Sequence, residues 1–261
     1  MSSFRLQKLD ILFLFVYICT KMKITQKIEN QIKKFPLGTV FKYAQLKINA
    51  KEYTTAAKAL ERLQKKGVIK KVSKGTFYKP IQSVFGELTP DDKEILKPYL
   101  FKNGKRIAYI TGASLYNYMN LTTQVPSIIK IASFNKRIYV SIGSVKAKPV
   151  KSYVEVSDKN YKLLQLLDAL KDFKSILDIN RQSAITILSN NIKNLQPKDI
   201  KSIVKYALKY PPRVQAFLGA ILEQLKLFDE FKTLKDNLNP LTTYSYSINK
   251  ELPTATNWNI T

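Results

Sequence analysis

Between Ile24 and Lys79 the spacing of apolar residues passes from helical to strand-like in a set order, and that order limits what the segment can build. Ile24, Ile28 and Ile32 recur at helical spacing and stop at Phe35-Pro36-Leu37-Gly38. Val40 and Phe41 follow as a short extended piece, and residues 43–47 as a short helical segment before a turn at Asn49. A further helix starts at Thr54 or Thr55, either of which can cap it, and runs to Lys66 before Gly67. Residues 68–72, a Ser73-Lys74-Gly75 turn and residues 76–79 then form a hairpin. Helix, short helix, helix and hairpin predict a winged helix-turn-helix over residues 22–80.

On a wheel of 100° per residue, Ala56, Ala59, Leu60 and Leu63 share one side of the last helix, which is the core side. Thr54, Lys58, Glu61, Arg62 and Lys65 share the other. A recognition helix brings its N-terminal residues nearest the base edges, so Thr54, Thr55 and Lys58 are candidates to reach DNA. Arg62 is the sole arginine of residues 21–80, and a planar guanidinium can bond guanine O6 and N7 together where an ammonium cannot. Lys65 continues the same face. Lys70, Lys71 and Lys74 in the hairpin suit phosphate contact, which sets register without reading sequence. Any one of these lysines can equally belong to a solvated face, and Glu61 and Lys65 form a favourable i, i+4 pair that needs no ligand. The basic helix and the basic hairpin together point to DNA.

The charge balance agrees. The 261 residues carry 44 Lys and Arg against 19 Asp and Glu, a net +25. Residues 21–80 hold 16 basic and 3 acidic residues, net +13, so more than half the excess sits in less than a quarter of the chain. A lysine-rich composition alone would enrich glutamate too; the asymmetry calls for a polyanion, nucleic acid before membrane. The chain has no histidine, which removes Ser-His-Asp and Cys-His catalysis, the two-histidine zinc helix and most transition-metal sites. Its lone cysteine, Cys19, can form no disulfide within the chain, which suits the cytoplasm.

Residues 1–21 stand apart. The apolar run at 11–19 is about half the roughly 20 residues that span a bilayer. Asp10 abuts it and no small-residue cleavage site follows, so neither a membrane helix nor a signal peptide is expected. A start misassigned ahead of Met22, or a simple apolar extension, is favoured over export.

From residue 81 on, a mixed domain is expected. Residues 80–90 read as a linker with a turn at FGELTP, and 91–100 as a short helix. Residues 109–119 read as helical after Thr111-Gly112, and 128–132, 137–142 and 145–150 as strands of a small sheet lying within about 104–156. Residues 160–173, 181–194, 198–209 and 213–227 carry helical spacing, with Pro197 and Pro212 where a first turn accepts proline. The tail from about 237 to 261 lacks a period but is too apolar for a free linker, so it should dock on the body or on a partner. The fold class is therefore α+β.

Two features invite a catalytic reading. TGAS at 111–114 is similar to the Gly-Ser entry of nucleotidyltransferases, but no Asp-x-Asp or Asp-x-Glu follows it, and the next acidic residue is Glu155. A turn into a helix accounts for it. Asp168 and Asp172, four apart, could share a metal, but Lys171 lies beside them and no third ligand is evident. A solvated or salt-bridged role is favoured. The tyrosines Tyr109, Tyr116 and Tyr118 accompany Leu115 and Met119, which favours core packing over base stacking.

The segments IENQIKKFPLGTVFKYAQL, ALERLQKKGVIKKVSKGTFYKP, FGEL, YITGASLYNYMNLTTQVP, LLQLLDALKD and YPPRVQAFLGAILE, in this order, resemble AbiEi-type antitoxins of bacterial type IV toxin-antitoxin systems. The resemblance runs from Met22 nearly to the end. It implies a winged helix that binds the promoter of its own operon as double-stranded DNA. It also implies a domain over 81–261 that counteracts a nucleotidyltransferase-like toxin; the residues leave open whether it touches the toxin, and the type IV label favours opposing its effect. It brings no catalytic residues and no cofactor. The alternatives are a winged-helix regulator without a toxin and, in a different class, an enzyme acting on nucleic acid.

Overall fold

The computed structural model describes residues 24–84 and 86–261. The apolar run at 11–19, Cys19 and the expected start at Met22 lie outside the described residues. The chain is α+β and divides into two compact units between Pro98 and Tyr99.

In the first unit, helix α1 (residues 24–33) turns Ile24, Ile28 and Ile32 into the core. Phe35 N–H closes its end on Ile32 O at 3.1 Å before Pro36. Strand β1 (Val40–Lys42) leads into two 3-10 turns, Tyr43–Leu46 and Ala50–Glu52, and then α2 (Tyr53–Lys65). Neither Thr54 nor Thr55 caps α2. The 3-10 turn feeds straight into the helix, Glu52 is the cap residue, and the threonines fall within the first turn. The far end follows the expectation. Gly67, at φ +70°, donates to Gln64 O at 2.9 Å, and Val68 N–H reaches Leu63 O at 3.0 Å. That pair of bonds satisfies carbonyls the helix leaves open, and the positive φ is what glycine supplies.

Strands β2 (Lys70–Ser73) and β3 (Thr76–Tyr78) form the hairpin, with β1 added on the other side of β3, giving the antiparallel order β1-β3-β2. Phe41, Leu46, Leu60, Ile69 and Phe77 close one core with the α1 isoleucines. Residues 80–90, expected as a linker, instead fold into a second hairpin, β4 (Ile81–Ser83) and β5 (Gly86–Leu88). Its Glu87 binds Tyr78 and Lys70, which explains why this stretch groups with the first unit. Helix α3 (Asp92–Leu100) is capped by Asp91, whose Oδ1 accepts from Glu94 N–H at 2.7 Å.

The second unit opens with a two-residue ladder, β6 (Phe101–Lys102) and β7 (Lys105–Arg106), around Asn103-Gly104, both at positive φ. The helix expected after Thr111-Gly112 is present, and the residues just ahead of it, not named as a strand in the sequence, are extended. Residues Ala108–Thr111 are strand β8, paired to β9 (Ile129–Ser133), and only Ala113–Tyr118 are helical, as α4. Gly112 makes the break at φ +70°, ψ −156°, and a Cβ there would lie 2.7 Å from Lys130 Cδ. Strands β10 (Val140–Ile142) and β11 (Val145–Lys151) complete a sheet of order β10-β11-β9-β8, in which β9 and β11 run parallel.

Helices α5 (Tyr161–Asp172), α6 (Arg181–Lys193), α7 (Pro197–Ala207) and α8 (Pro212–Gln224) match the periodic stretches, and α9 (Phe228–Asp236) is an addition. Every residue of α8 from Val214 to Leu222 is buried, so it is the hub around which α5, α7, α9 and the tail pack. The tail closes on itself through Tyr244 N–H to Asn259 O at 2.7 Å. It lays the 3-10 helix Pro253–Trp258 along α8.

Candidate nucleic-acid interface

The eight candidate residues lie on two elements of the first unit. Thr54, Thr55, Lys58, Arg62 and Lys65 belong to α2, Lys70 and Lys71 to β2, and Lys74 to the β2–β3 turn. All are exposed except Thr55, which is half-buried, because the opposite side of α2 is used by Ala56, Ala59, Leu60 and Leu63.

Tyr43 joins the two elements. Its backbone N–H donates to Gly75 O in the hairpin turn at 2.8 Å. Its hydroxyl donates to Tyr53 O at the start of α2 at 3.2 Å, and the two tyrosine rings sit 5.2 Å apart. Burial, then the neighbouring Tyr53 and Glu52, raise the Tyr43 hydroxyl above its ordinary pKa, so it stays a neutral donor. One residue thus ties the hairpin turn to the first turn of the helix. Lys79 closes the base of the module, its Nζ donating to Phe35 O at 2.9 Å and Lys33 O at 3.3 Å beyond the end of α1.

The cations are not equivalent. Lys65 pairs with Glu61 at 3.1 Å on an open surface, a contact worth about 0.3–0.5 kcal/mol. Lys70 pairs with Glu87, which also accepts from the Tyr78 hydroxyl. The Lys70 ammonium and then the Tyr78 hydroxyl hold the Glu87 carboxyl below its ordinary value, while burial and Glu87 push Tyr78 up to about 12. Lys58, Arg62, Lys71 and Lys74 form no ion pair among the described residues. Of the six candidate cations, they are the four without a carboxylate partner among the described residues. Lys51, exposed in the 3-10 turn before α2, adds to them. The sequence signal for it was its place one turn ahead of Thr54 and Thr55.

The acidic pair of the second unit is an internal support. Asp168, 2% exposed, accepts from Thr111 Oγ1 at 2.7 Å and from the hydroxyls of Tyr109 at 3.0 Å and Tyr210 at 3.2 Å. Lys171 Nζ stands 3.2 Å from its other face and 3.7 Å from Asp172. Tyr116 donates to Asp172 at 2.7 Å. Asp168 is therefore salt-bridged but not solvated. It draws β8, α5 and the end of α7 together, and burial with its charge raises the hydroxyl pKa values of Tyr109 and Tyr210 well above the ordinary phenol. The TGAS segment is the turn from β8 into α4, with its threonine turned to this carboxylate. Tyr109 and Tyr116 are core residues, whereas Tyr118 is 77% exposed. Among the described residues no three metal-ligating side chains come together, and no helix is long and apolar enough to cross a membrane.

No curated protein matches the chain. The crystal structure of the Rv2827c protein from Mycobacterium tuberculosis is similar to it in fold. The two share 11% of residues at a TM-score of 0.51, over 84% of this chain and 83% of that one. A family of unknown function, DUF6088, matches residues 27–209, a span that takes in α2, both hairpins of the first unit, the sheet and Asp168 with all its side-chain partners but Tyr210. The chain belongs to that family.

Proposed function

We propose that residues 24–80 are a winged helix-turn-helix that reads duplex DNA through α2 and holds the phosphate backbone through the β2–β3 hairpin. One observation carries this reading: Lys58, Arg62, Lys71 and Lys74 lack ion-pair partners among the described residues, on two elements that Tyr43 binds into one surface. Uncompensated cations on a rigid face are the footprint of a polyanion. In this reading the N-terminal turn of α2 brings Thr54, Thr55 and Lys58 to base edges. Arg62 reads a guanine, and Lys71 and Lys74 neutralise phosphates. Lys65 and Lys70 contribute less, since each already faces a carboxylate.

The biological role in this proposal is that of an AbiEi-type antitoxin acting in the cytoplasm. The chain represses its own operon and opposes a nucleotidyltransferase-like toxin. Support for the toxin half comes from the resemblance of the six segments quoted above, and it stands independently of the DNA half.

Fluorescence anisotropy on the chain's own promoter and on scrambled duplex, at several salt concentrations, tests the DNA reading. Arg62→Ala should lose about 1–3 kcal/mol of preference for the operator, whereas Lys74→Ala should weaken both duplexes alike and reduce the salt slope by about one unit. Unchanged affinity and slope in a Lys58, Arg62, Lys71 and Lys74 quadruple alanine variant would refute it. Co-expression with the adjacent toxin gene from an unrelated promoter tests the other half. The quadruple variant should rescue growth without repressing a promoter reporter, and absence of rescue by the unaltered chain would overturn the antitoxin assignment.

A further inference from the structure

The second unit carries a basic surface that the duplex reading leaves unused. Residues 99–154 hold nine lysines and arginines and no aspartate or glutamate. Arg106 is accounted for: it bonds Asp158 at 2.9 Å and stacks on Phe101 and Tyr161. The sheet concentrates most of the others. Along β11, Val145 and Ala147 are buried while Lys146 and Lys148 are exposed, as alternation in a half-buried strand requires. Lys148 is in register with Lys130 on parallel β9, so two exposed lysines sit side by side on one face. Like charges on neighbouring strands repel, and none of Lys130, Lys146 or Lys148 has an acidic partner among the described residues.

At the end of this sheet lies a cleft of about 500 Å³ between the β9–β10 connection and the end of β11. Phe134, Lys136, Arg137, Tyr139 and Lys151 line it. The connection is shaped from within. Ile138 is buried and anchors it, Ser133 Oγ binds Lys136 O, and the residues flanking Ile138, Arg137 and Tyr139, are left outside. Phe134 is 44% and Tyr139 66% exposed, two aromatic rings in one cleft with three cations that form no ion pair among the described residues. Rings left this open bury little apolar surface and so add little to folding.

We propose that this cleft binds single-stranded nucleic acid, with bases stacked on Phe134 and Tyr139. The phosphates then lie against Lys136, Arg137 and Lys151. Aromatic platforms inside a basic track are how unpaired strands are held. A duplex keeps its base faces stacked inside and offers these rings nothing. A lipid surface meets projecting side chains, not rings that line a cleft. The size of the cleft suits roughly one or two unstacked bases. This site is separate in residues from the duplex surface on α2, and its test does not depend on that reading.

The full chain is titrated against labelled oligomers of about 12 uridylates, the same length of thymidylates, and a duplex of mixed sequence. Vesicles containing phosphatidylserine form a fourth arm. At least one single strand should bind, with RNA or DNA identified by whichever is held more tightly. Phe134→Ala with Tyr139→Ala should weaken that binding about tenfold or more and leave duplex affinity unchanged. Lys136→Ala, Arg137→Ala and Lys151→Ala together should flatten the salt dependence by about two units on a log–log plot. These side chains are exposed, so thermal melting should be unaltered and folding does not confuse the outcome. The proposal is overturned if neither single strand binds, or if only the vesicles do. It is equally overturned if removal of both rings leaves single-strand affinity intact or weakens duplex binding as much.

Discussion

Gly219 lies in the middle of α8, and replacing it by alanine should destabilise the protein even though alanine is the better helix former. Intrinsic propensity favours the exchange by about 1 kcal/mol. The packing opposes it. A Cβ at Gly219 would stand 2.2 Å from Trp258 Cη2 and Cζ3 and 2.6 Å from Cζ2, where carbon atoms rest at about 3.5–4 Å. The indole has to withdraw by more than an ångström, and it is not free to do so. Its Nε1 donates to Glu223 Oε2 at 2.6 Å, and Asn257 holds the other oxygen of that carboxylate at 2.7 Å. Phe231 meets the ring edge-on at 5.5 Å. Forcing a methyl into such a site costs about 1–3 kcal/mol, and loss of the charge-assisted bond to Glu223 adds about 1.5–3 kcal/mol if the ring swings out.

The net expectation for Gly219→Ala is a loss of about 2 kcal/mol, or roughly 4–8 °C in melting temperature for a unit of this size. Trp258 is the chain's one tryptophan and is 2% exposed, so its emission reports the docking of the tail directly. The variant should melt earlier and emit further to the red. In a Trp258→Leu background the obstacle is gone, and the same exchange should become neutral or stabilise by up to about 1 kcal/mol. A higher melting temperature for Gly219→Ala with unshifted emission would refute the packing argument.

Two other perturbations follow from buried and paired charges. Asp168→Ala strips from Lys171, whose side chain is 12% exposed, the nearer of its two carboxylates, and takes the acceptor from the hydroxyls of Tyr109, Thr111 and Tyr210; urea unfolding should show a loss of about 3 kcal/mol, with Asp168→Asn losing less. Burial alone would lower the Lys171 pKa, but Asp168 and Asp172 outweigh it and raise it, so removing Asp168 should bring that pKa down, measurable by NMR titration. Glu87 has a folded pKa below its ordinary 4.5, held there by Lys70 and Tyr78, so its contribution to stability is complete above that value and is lost as pH falls through the folded one. Glu87→Gln should therefore lose less stability than the unaltered chain across that acid range, and parallel acid-unfolding curves for the two would contradict the ion pair.

What could be read from the sequence depends on how far away each residue's partner lies. The helices α1, α2 and α5 to α8 were legible because one buried face repeats every third or fourth residue, and that repeat is local. The exposed cations of α2 followed from the same wheel, and so did the Glu61–Lys65 pair. Strands β4 and β5 were not legible, because three residues establish no period. Strand β8 was not named as a strand because what makes it one is its pairing with Ile129–Ser133, across a loop that its own residues do not announce. The same distance effect separates the charges. Lys70 reads as one more phosphate contact until Glu87 is brought to it, and Asp168 reads as a surface carboxylate until Tyr109, Thr111 and Tyr210 arrive from 42 to 59 residues away. Counting lysines therefore overstates the first unit and understates the second. In the first, ion pairs take up Lys65 and Lys70 among the candidate cations and leave Lys58, Arg62, Lys71 and Lys74. In the second, folding stacks Lys130 beside Lys148 and gathers Lys136, Arg137 and Lys151 around two exposed rings, with no ion-pair partner for these cations among the described residues. A modest excess spread along the chain becomes a second concentrated field, and it is the field, not the sum, that an anionic strand would meet.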